Sequence, residues 1–360
     1  SPGTLVETDS FALWQRLVDH NRDTHRLDYR MLLDKVAAHR DMDIVIDSVH
    51  GASRLHIERL LGPAAVNLVH LRGDSDVTFG GIAPEPSSEN MSRVTQRLKD
   101  SSKKLKIGAI IDPDADRIRF TDGDTEISMN QFGAMAYHFL HEYKNLTGMV
   151  AKTVATSNLA NSVAATLGEE LFETKVGFKE FKPVIGKALV YFEESDGISV
   201  IGHTPEKDAY IGLLLALDMV VSTSKNLGEI KLEMDEIYGA FYPDRDGVAV
   251  SLKGDPLLTA LAKLEKYDVG TSVAIGGNEK TIKEIISKDG RKMIFEDDSW
   301  LMIRPSGTEP KVRFYVESRD PVLDDLERAT KTGREHRQAG AHRLDYRQAK
   351  RFEQSGLHED

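Results

Sequence analysis

The 360-residue chain has no cysteine, which excludes disulfides and thiolate metal sites and makes a reducing cytoplasm the expected compartment. It also lacks a long hydrophobic run. The longest, around residues 211–221, is interrupted by Asp218 and is too short to span a bilayer, so no membrane partner is expected. Positive charge is in deficit, with 47 Lys and Arg against 58 Asp and Glu and a formal net charge of −11. That balance excludes a broad nucleic-acid surface and leaves any anionic ligand to local basic loops. No signal-peptide pattern opens the sequence, and it begins at Ser1 rather than Met, so the natural start is expected to lie upstream. The length predicts two or three domains, each with its own core.

The most informative stretch is residues 107–117, I-G-A-I-I-D-P-D-A-D-R, an apolar run that stops at three alternating aspartates and an arginine. Carboxylates gathered at the end of a buried strand repel one another and raise each other's pKa unless a cation lies between them. Asp112, Asp114 and Asp116 are therefore candidate oxygen ligands for a hard divalent ion, and Mg²⁺ is the expected one where phosphate chemistry follows. A solvated turn is the plain alternative. An EF-hand loop is excluded, because its required Gly and Glu positions hold Arg117 and Gly123. A phosphatase using Asp112 as nucleophile stays open, since it too places D-x-D at a strand end.

Around this stretch, helical and strand patterns alternate. Phe11, Trp14, Leu17 and Val18 share one helical face, and so do Tyr29, Leu32, Leu33 and Val36. Residues 43–47 read as a short strand, 94–103 as a polar helix and 105–111 as a strand, which makes a β–α–β unit whose ligands bind beyond the strand ends. A second such unit is read from helix 131–143, strand 150–154, helix 158–167, strand 188–192 and helix 208–224. From 238 to 317 the pattern is strand-rich around one helix at 257–264. The predicted fold is thus α/β: two consecutive α/β domains with mixed sheets, followed by a smaller α+β C-terminal domain. From about residue 334 the chain turns Gln-, His- and Arg-rich, consistent with a terminal helix or tail. The hexapeptide H-R-L-D-Y-R occurs at both 25–30 and 342–347, a repeat for which the sequence offers no physical reason.

Three further loops carry chemistry. Residues 304–313, R-P-S-G-T-E-P-K-V-R, lie between two apolar strands; Arg304 and Arg313 can fork onto phosphate oxygens while Ser306, Gly307 and Thr308 add small donors. An ordinary hairpin turn uses the same Gly and Pro. Residues 192–197, F-E-E-S-D-G, follow another apolar strand, and Glu193 and Ser195 suit vicinal sugar hydroxyls because an ionised Glu accepts several donors. Residues 174–179, T-K-V-G-F-K, offer Lys179 to a phosphate or leaving oxygen, although most such lysines are surface charges.

In this order the four loops D-P-D-A-D-R, V-G-F-K, F-E-E-S-D-G and R-P-S-G-T-E-P-K-V-R resemble those of the α-D-phosphohexomutases, which include phosphoglucomutase and phosphomannomutase. D-S-V-H-G-A-S at 47–53, F-G-G-I-A-P-E-P at 79–86 and T-S-N at 156–158 extend the resemblance over roughly residues 28–330. It implies a metal-binding domain at 28–128, a sugar-binding domain at 129–237 and a phosphate-binding domain at 238–333, flanked by a linker or remnant at 1–27 and a tail at 334–360. It also implies a mechanism in which a phosphoserine passes its phosphoryl group to a sugar monophosphate. The resulting bisphosphate turns round and returns the group from its other end. On that pattern Asp112, Asp114 and Asp116 hold Mg²⁺, Arg117 stabilises the transferring phosphoryl and Lys179 lies near the reacting oxygen. Glu193 and Ser195 hold the sugar, and Arg304, Ser306, Gly307, Thr308 and Arg313 grip the phosphate that is not reacting.

Two departures stand out. The T-A-S-H-N-P-type loop that carries the phosphoserine is absent, and no Ser-His dipeptide occurs in the chain. Phe192 stands where many members have Gly, which bears on sugar preference. The expectation is a fragment of a Mg²⁺-dependent mutase interconverting hexose 1- and 6-phosphates, glucose phosphates first, that binds its phosphosugar without turning it over alone. Phosphomannomutase or phosphopentomutase specificity, or a non-catalytic phosphosugar-binding protein, are the alternatives.

Overall fold

Apolar runs become strands, and short polar residues ahead of periodic stretches become caps, in the computed structural model, which describes residues 7–275, 278–306 and 310–319. Asp9 accepts the Ala12 N–H to start α1 (Ser10–His20). After the single turn of α2 (Arg22–His25), Asp28 does the same for Met31 at α3 (Tyr29–Ala38). Phe11 and Val18 on α1, and Tyr29, Leu32, Leu33 and Val36 on α3, are buried, as their spacing predicts. The first H-R-L-D-Y-R copy thus supplies a cap (Asp28), a buried leucine (Leu27) and the Tyr29 hydroxyl that donates to Leu60 O at 2.5 Å. The second copy, like the proposed tail, lies outside the described residues.

The chain divides into two units, one comprising residues up to 153 and 158–238, the other 154–157 and the residues from 239 on. The first unit holds two mixed sheets. One contains β1 (Met42–Asp47), β2 (Leu68–Leu71), β3 (Leu105–Ile111), β4 (Ile118–Thr121) and β5 (Glu126–Ile127) in the order β2-β1-β3-β4-β5. β1, β2 and β3 run parallel, while β4 and β5 are antiparallel additions. Between β1 and β3 the chain forms the short α4 (Ile57–Leu61) and the amphipathic α5 (Ser88–Lys99). α5 begins six residues before the position read from sequence, because Ser87 caps Asn90 and Met91 joins Val94 and Leu98 on the buried face.

The second sheet, ordered β7-β6-β8-β9, contains β6 (Val150–Thr153), β7 (Leu171–Thr174), β8 (Val190–Glu193) and β9 (Gly197–Val200). The first three are parallel and β9 closes a hairpin. Its helices are α6 (Met129–Glu142), α7 (Leu159–Leu167), α8 (Ala209–Thr223) and α9 (Leu227–Tyr238). Ser128 and Gln131 form a capping box at the start of α6. α8 is buried from Ala209 to Val221, which explains the apolar run there; Asp218 within it pairs with Lys144 at 2.6 Å and accepts from Ser222. Among the described residues no single helix is long and apolar enough to cross a membrane.

The second unit is one antiparallel sheet with helix α10 (Asp255–Ala262). Its strands are β10 (Tyr242–Ala249), β11 (Ser272–Ile275), β12 (Asn278–Ile286), β13 (Arg291–Phe295), β14 (Trp300–Pro305) and β15 (Lys311–Ser318), ordered β10-β15-β14-β13-β12-β11. Leu257 of α10 packs with Ile282, Met293, Phe295, Leu301, Ile303, Val312 and Phe314 to make its core. Residues 154–157 join it through Lys292, whose ammonium donates to Val154 O at 2.9 Å. Two consecutive α/β sheet systems followed by an α+β part is the architecture the sequence predicts.

Candidate functional site

β3 carries its apolar residues to Ile111, and the chain then turns through Asp112 with the backbone of Ala115 left-handed at φ 63°. Asp112 is fully buried. Its Oδ1 accepts the backbone N–H groups of Asp116 (3.1 Å) and Arg117 (3.0 Å), and its Oδ2 accepts Arg117 Nε at 2.5 Å. With both oxygens engaged, Asp112 is poorly disposed to attack phosphorus, which weighs against the phosphatase reading. One carboxylate oxygen each from Asp112, Asp114 and Asp116 lies within 4.8 Å of the others, a spacing that one cation bridges. Asp116 Oδ1 is buried and has no hydrogen-bond partner, so the set fits a hard oxygen-seeking ion. Burial pushes the Asp112 carboxyl up to about 7; the Arg117 N–H groups and charge oppose this, and Asp116 and Asp114 add to it.

The D-S-V-H-G-A-S turn forms the floor under this loop. Asp47 at the end of β1 accepts the Val49 N–H and is paired with Arg72 at 2.7 Å, which holds Val49 and His50 left-handed at φ 45° and 57°. The turn then brings Gly51 against Pro113. A Cβ at residue 51 would fall 2.4 Å from Pro113 Cα and 2.8 Å from Pro113 O, and Ala52 N–H donates to Pro113 O at 2.7 Å. Glycine is required there by close approach.

The F-E-E-S-D-G loop joins β8 to β9 beside the acidic loop. Its two glutamates divide by strand alternation: Glu194 turns inward to accept from Thr153 Oγ1 at 2.9 Å, while Glu193 faces Lys207. Burial raises the Glu193 carboxyl and Glu194 adds to it, with Lys207 and Ser195 pulling the other way. Phe192 is wholly buried, its ring so close to α6 that a Cβ at Gly133 would lie 2.2 Å away. The ring therefore packs the core against α6.

Lys207 is the residue that the sequence reading missed. Its ammonium lies 3.3 Å from Asp116 and 3.5 Å from Glu193, joining the two loops. Burial pulls its pKa down, but the Glu193 and Asp116 carboxylates outweigh that and leave it raised, so it stays protonated. Its place is set by the next residue. Asp208 caps α8 by accepting the Tyr210 N–H, and its Oδ2 takes bonds from Trp14 Nε1 and His203 Nε2, both at 2.6 Å. A lysine immediately before an N-cap aspartate was the available signal. Lys179, by contrast, is exposed on the 3-10 turn Phe178–Val184 and has no ion pair or hydrogen bond among the described residues. Its neighbour Phe178 presents its ring to Lys207, 5.9 Å from the ammonium.

In the second unit Arg304 and Arg313 are direct cross-strand partners on β14 and β15. Like charges directly opposite one another repel unless an anion offsets them, and the Asp289 carboxylate lies against Arg304. Arg304 Nε lies 3.3 Å from Asp289 but has no hydrogen bond, and Ser306 N–H closes the hairpin onto Lys311 O at 2.8 Å. Gly307 and Thr308 lie outside the described residues.

Residues 25–125, 128–238 and 248–328 match, in that order, the models for phosphoglucomutase/phosphomannomutase alpha/beta/alpha domain II, alpha/beta/alpha domain III and C-terminal domain. A phosphoglucomutase/phosphomannomutase of Thermococcus kodakarensis is 26% identical over 287 residues, covering 77% of this chain and 57% of that protein. Phosphoglucomutase 1 of Drosophila melanogaster is 25% identical over 349 residues, covering 88% and 61%. The open form of the Paramecium phosphoprotein pp63/parafusin shares the fold, with TM-score 0.65 at 22% identity over 88% of this chain and 61% of that one. The chain spans about three fifths of the length of these relatives. With three successive domain models of one family matched in order over most of its length, the chain belongs to the phosphoglucomutase/phosphomannomutase family.

Proposed function

We propose that this chain is the metal-, hydroxyl- and phosphate-binding part of a Mg²⁺-dependent phosphosugar mutase interconverting hexose 1- and 6-phosphates, with glucose phosphates as first substrates. The division of labour follows 28–128 for metal, 129–237 for sugar and 238–333 for phosphate. The observation that carries the reading is Lys207, which ties Asp116 of the acidic cluster to Glu193 of the hydroxyl loop within one unit. A sugar hydroxyl held by Glu193 and Ser195 then lies beside both the acidic cluster and a protonated amine.

Asp112, Asp114 and Asp116 would hold Mg²⁺, which when bound neutralises charge on a transferring phosphoryl group. Arg117, tethered by Asp112 and 3.5 Å from Asp116, offers its remaining guanidinium N–H groups to the phosphoryl oxygens. Lys207 holds a proton beside the acidic cluster and the hydroxyl loop, within reach of the oxygen that gains or loses the phosphoryl; Lys179, expected near that oxygen, is exposed on the 3-10 turn. Arg304 and Arg313, with Ser306, Gly307 and Thr308, are the groups of the second unit that would grip the phosphate that is not reacting. Every one of these groups binds, orients or protonates. None carries a phosphoryl group between the two ends of a sugar, and the 360 residues contain no T-A-S-H-N-P-like loop.

Calorimetry tests the reading: the chain should bind glucose 1-phosphate with Mg²⁺ present, Asp114→Asn should abolish the metal dependence, and neither should interconvert glucose 1- and 6-phosphate. Steady turnover by this chain alone, or metal-independent binding, would overturn it. A panel of mannose, glucosamine and ribose 1-phosphates ranks the sugar.

A further inference from the structure

We infer that Arg119 and Asp196 form a lock that sets the spacing between the acidic loop and the hydroxyl loop, making both positioning residues for the phosphosugar. This rests on the reading of those two loops given above. Arg119 lies on β4 two residues beyond Arg117, and Asp196 lies between Ser195 and Gly197. The pair therefore connects two sheets at the residues adjoining both candidate loops.

The contact is a two-pronged fork. Arg119 Nε donates to Asp196 Oδ1 at 3.1 Å and its terminal NH2 nitrogen donates to Oδ2 at 2.8 Å, while its third nitrogen donates to Glu126 Oε1 at 3.0 Å. All three guanidinium nitrogens are thus engaged inside the protein, so Arg119 is not a phosphate ligand despite its place in the D-P-D-A-D-R-I-R run. The Asp196 carboxylate has both oxygens on Arg119 and is 1% exposed, so it does not act as a sugar acceptor either. Beneath the fork, Ile118 N–H donates to Asp196 O at 2.9 Å and Arg117 bridges to Gly197. A single β-bridge alone leaves β4 and the loop able to slide. A planar bidentate fork has a single geometry and removes that freedom.

Burial makes the lock hard to open, since either charge left alone would be desolvated without compensation. The backbone also bears a cost. Asp196 sits at φ 74°, a left-handed conformation that glycine adopts freely and aspartate tolerates with strain. The strain persists alongside the carboxylate, as expected of a residue held for what its side chain does. Lys207 alone, with single contacts of 3.3 and 3.5 Å, gives the loops attraction without a fixed angle.

Three variants of the full chain test the inference: Arg119→Met, Asp196→Asn and the double variant, which leaves no buried charge unpaired. Each should weaken glucose 1-phosphate binding in Mg²⁺ about tenfold, the size of a typical coupling between sites. Inorganic phosphate, read at the Arg304–Arg313 hairpin, should bind within about twofold of the parent. The double variant should regain thermal stability over the singles yet keep the affinity loss. A purely structural pair would recover both together, and that result overturns the inference. Hydrogen exchange at the Ile118 amide supplies a readout that needs no sugar: it should quicken at least about tenfold in all three variants, and parental protection refutes the lock. If the parent chain binds no phosphosugar, the proposed function fails, and the Ile118 exchange still decides whether the fork holds the loops.

Discussion

Replacing Gly51 by Ala tests whether the D-S-V-H-G-A-S turn holds the acidic loop in place. The added Cβ would lie 2.4 Å from Pro113 Cα, 2.8 Å from Pro113 O and 3.0 Å from Pro113 C. All three are backbone atoms, so no rotamer change relieves the overlap. Restoring ordinary carbon–carbon contact needs a shift of about 1 Å. That shift falls on the residue between Asp112 and Asp114, and ligand distances tolerate only about 0.2 Å. Mg²⁺ demands near-ideal octahedral geometry, so the metal should be affected more than the fold. Overpacking of this kind costs about 1–3 kcal/mol, or a fall of roughly 3–10 °C in the melting midpoint. Metal affinity should drop about 10- to 100-fold, as for other changes behind a ligand set. Titration with Mn²⁺ followed by electron paramagnetic resonance reads the affinity, with Asp114→Asn as the abolished control and a melting curve as the check on folding. A Gly51→Ala chain that binds Mn²⁺ like the parent would refute the reasoning, because the turn would then have no hold on the carboxylates.

Other outcomes follow from the same geometry. Lys207→Met removes the cation 3.3 Å from Asp116 and 3.5 Å from Glu193, so Mn²⁺ should bind about tenfold tighter while glucose 1-phosphate binds about tenfold weaker; parallel changes in calorimetry would contradict this. In the metal-free chain burial raises Asp112 from 3.8 to about 7, so the folded state holds a proton that the unfolded chain loses first. That group's contribution to stability is therefore complete below about pH 4 and is lost as pH rises to about 7. Metal displaces the same proton, so Mn²⁺ affinity should rise up to tenfold per pH unit below about 7 and level off above; a flat profile from pH 5.5 to 8 would exclude it. Arg313→Met breaks the facing arginine pair and should weaken inorganic phosphate binding about tenfold with a shallower salt dependence, measured by calorimetry at two ionic strengths.

Much of this molecule is local and was legible in the chain. The buried faces of α1 and α3 follow from the spacing of Phe11 and Val18 and of Tyr29, Leu32, Leu33 and Val36. The caps Asp9, Asp28 and Ser128 went unread, although an N-cap needs only a short side chain two or three residues from its target N–H. Asp112, Asp114 and Asp116 cluster because a strand end followed by a left-handed turn at Ala115 folds alternate residues to one side. The start of α5 was misread because its first turn is polar apart from Met91, and only the capping contact of Ser87 reveals it.

The amino-acid sequence by itself determined the two α/β units with their strand-rich α+β successor, the acidic cluster and the arginine loop between two strands, since each depends on periodicity or on neighbours within a few residues. Tertiary structure alone decided that Lys207 rather than Lys179 meets the carboxylates, that Phe192 turns into the core against Gly133, and that Arg119 is spent on Asp196. The partners in those contacts come from different strands and helices. Which charge finds which is settled by packing and desolvation, and spacing along the chain encodes neither.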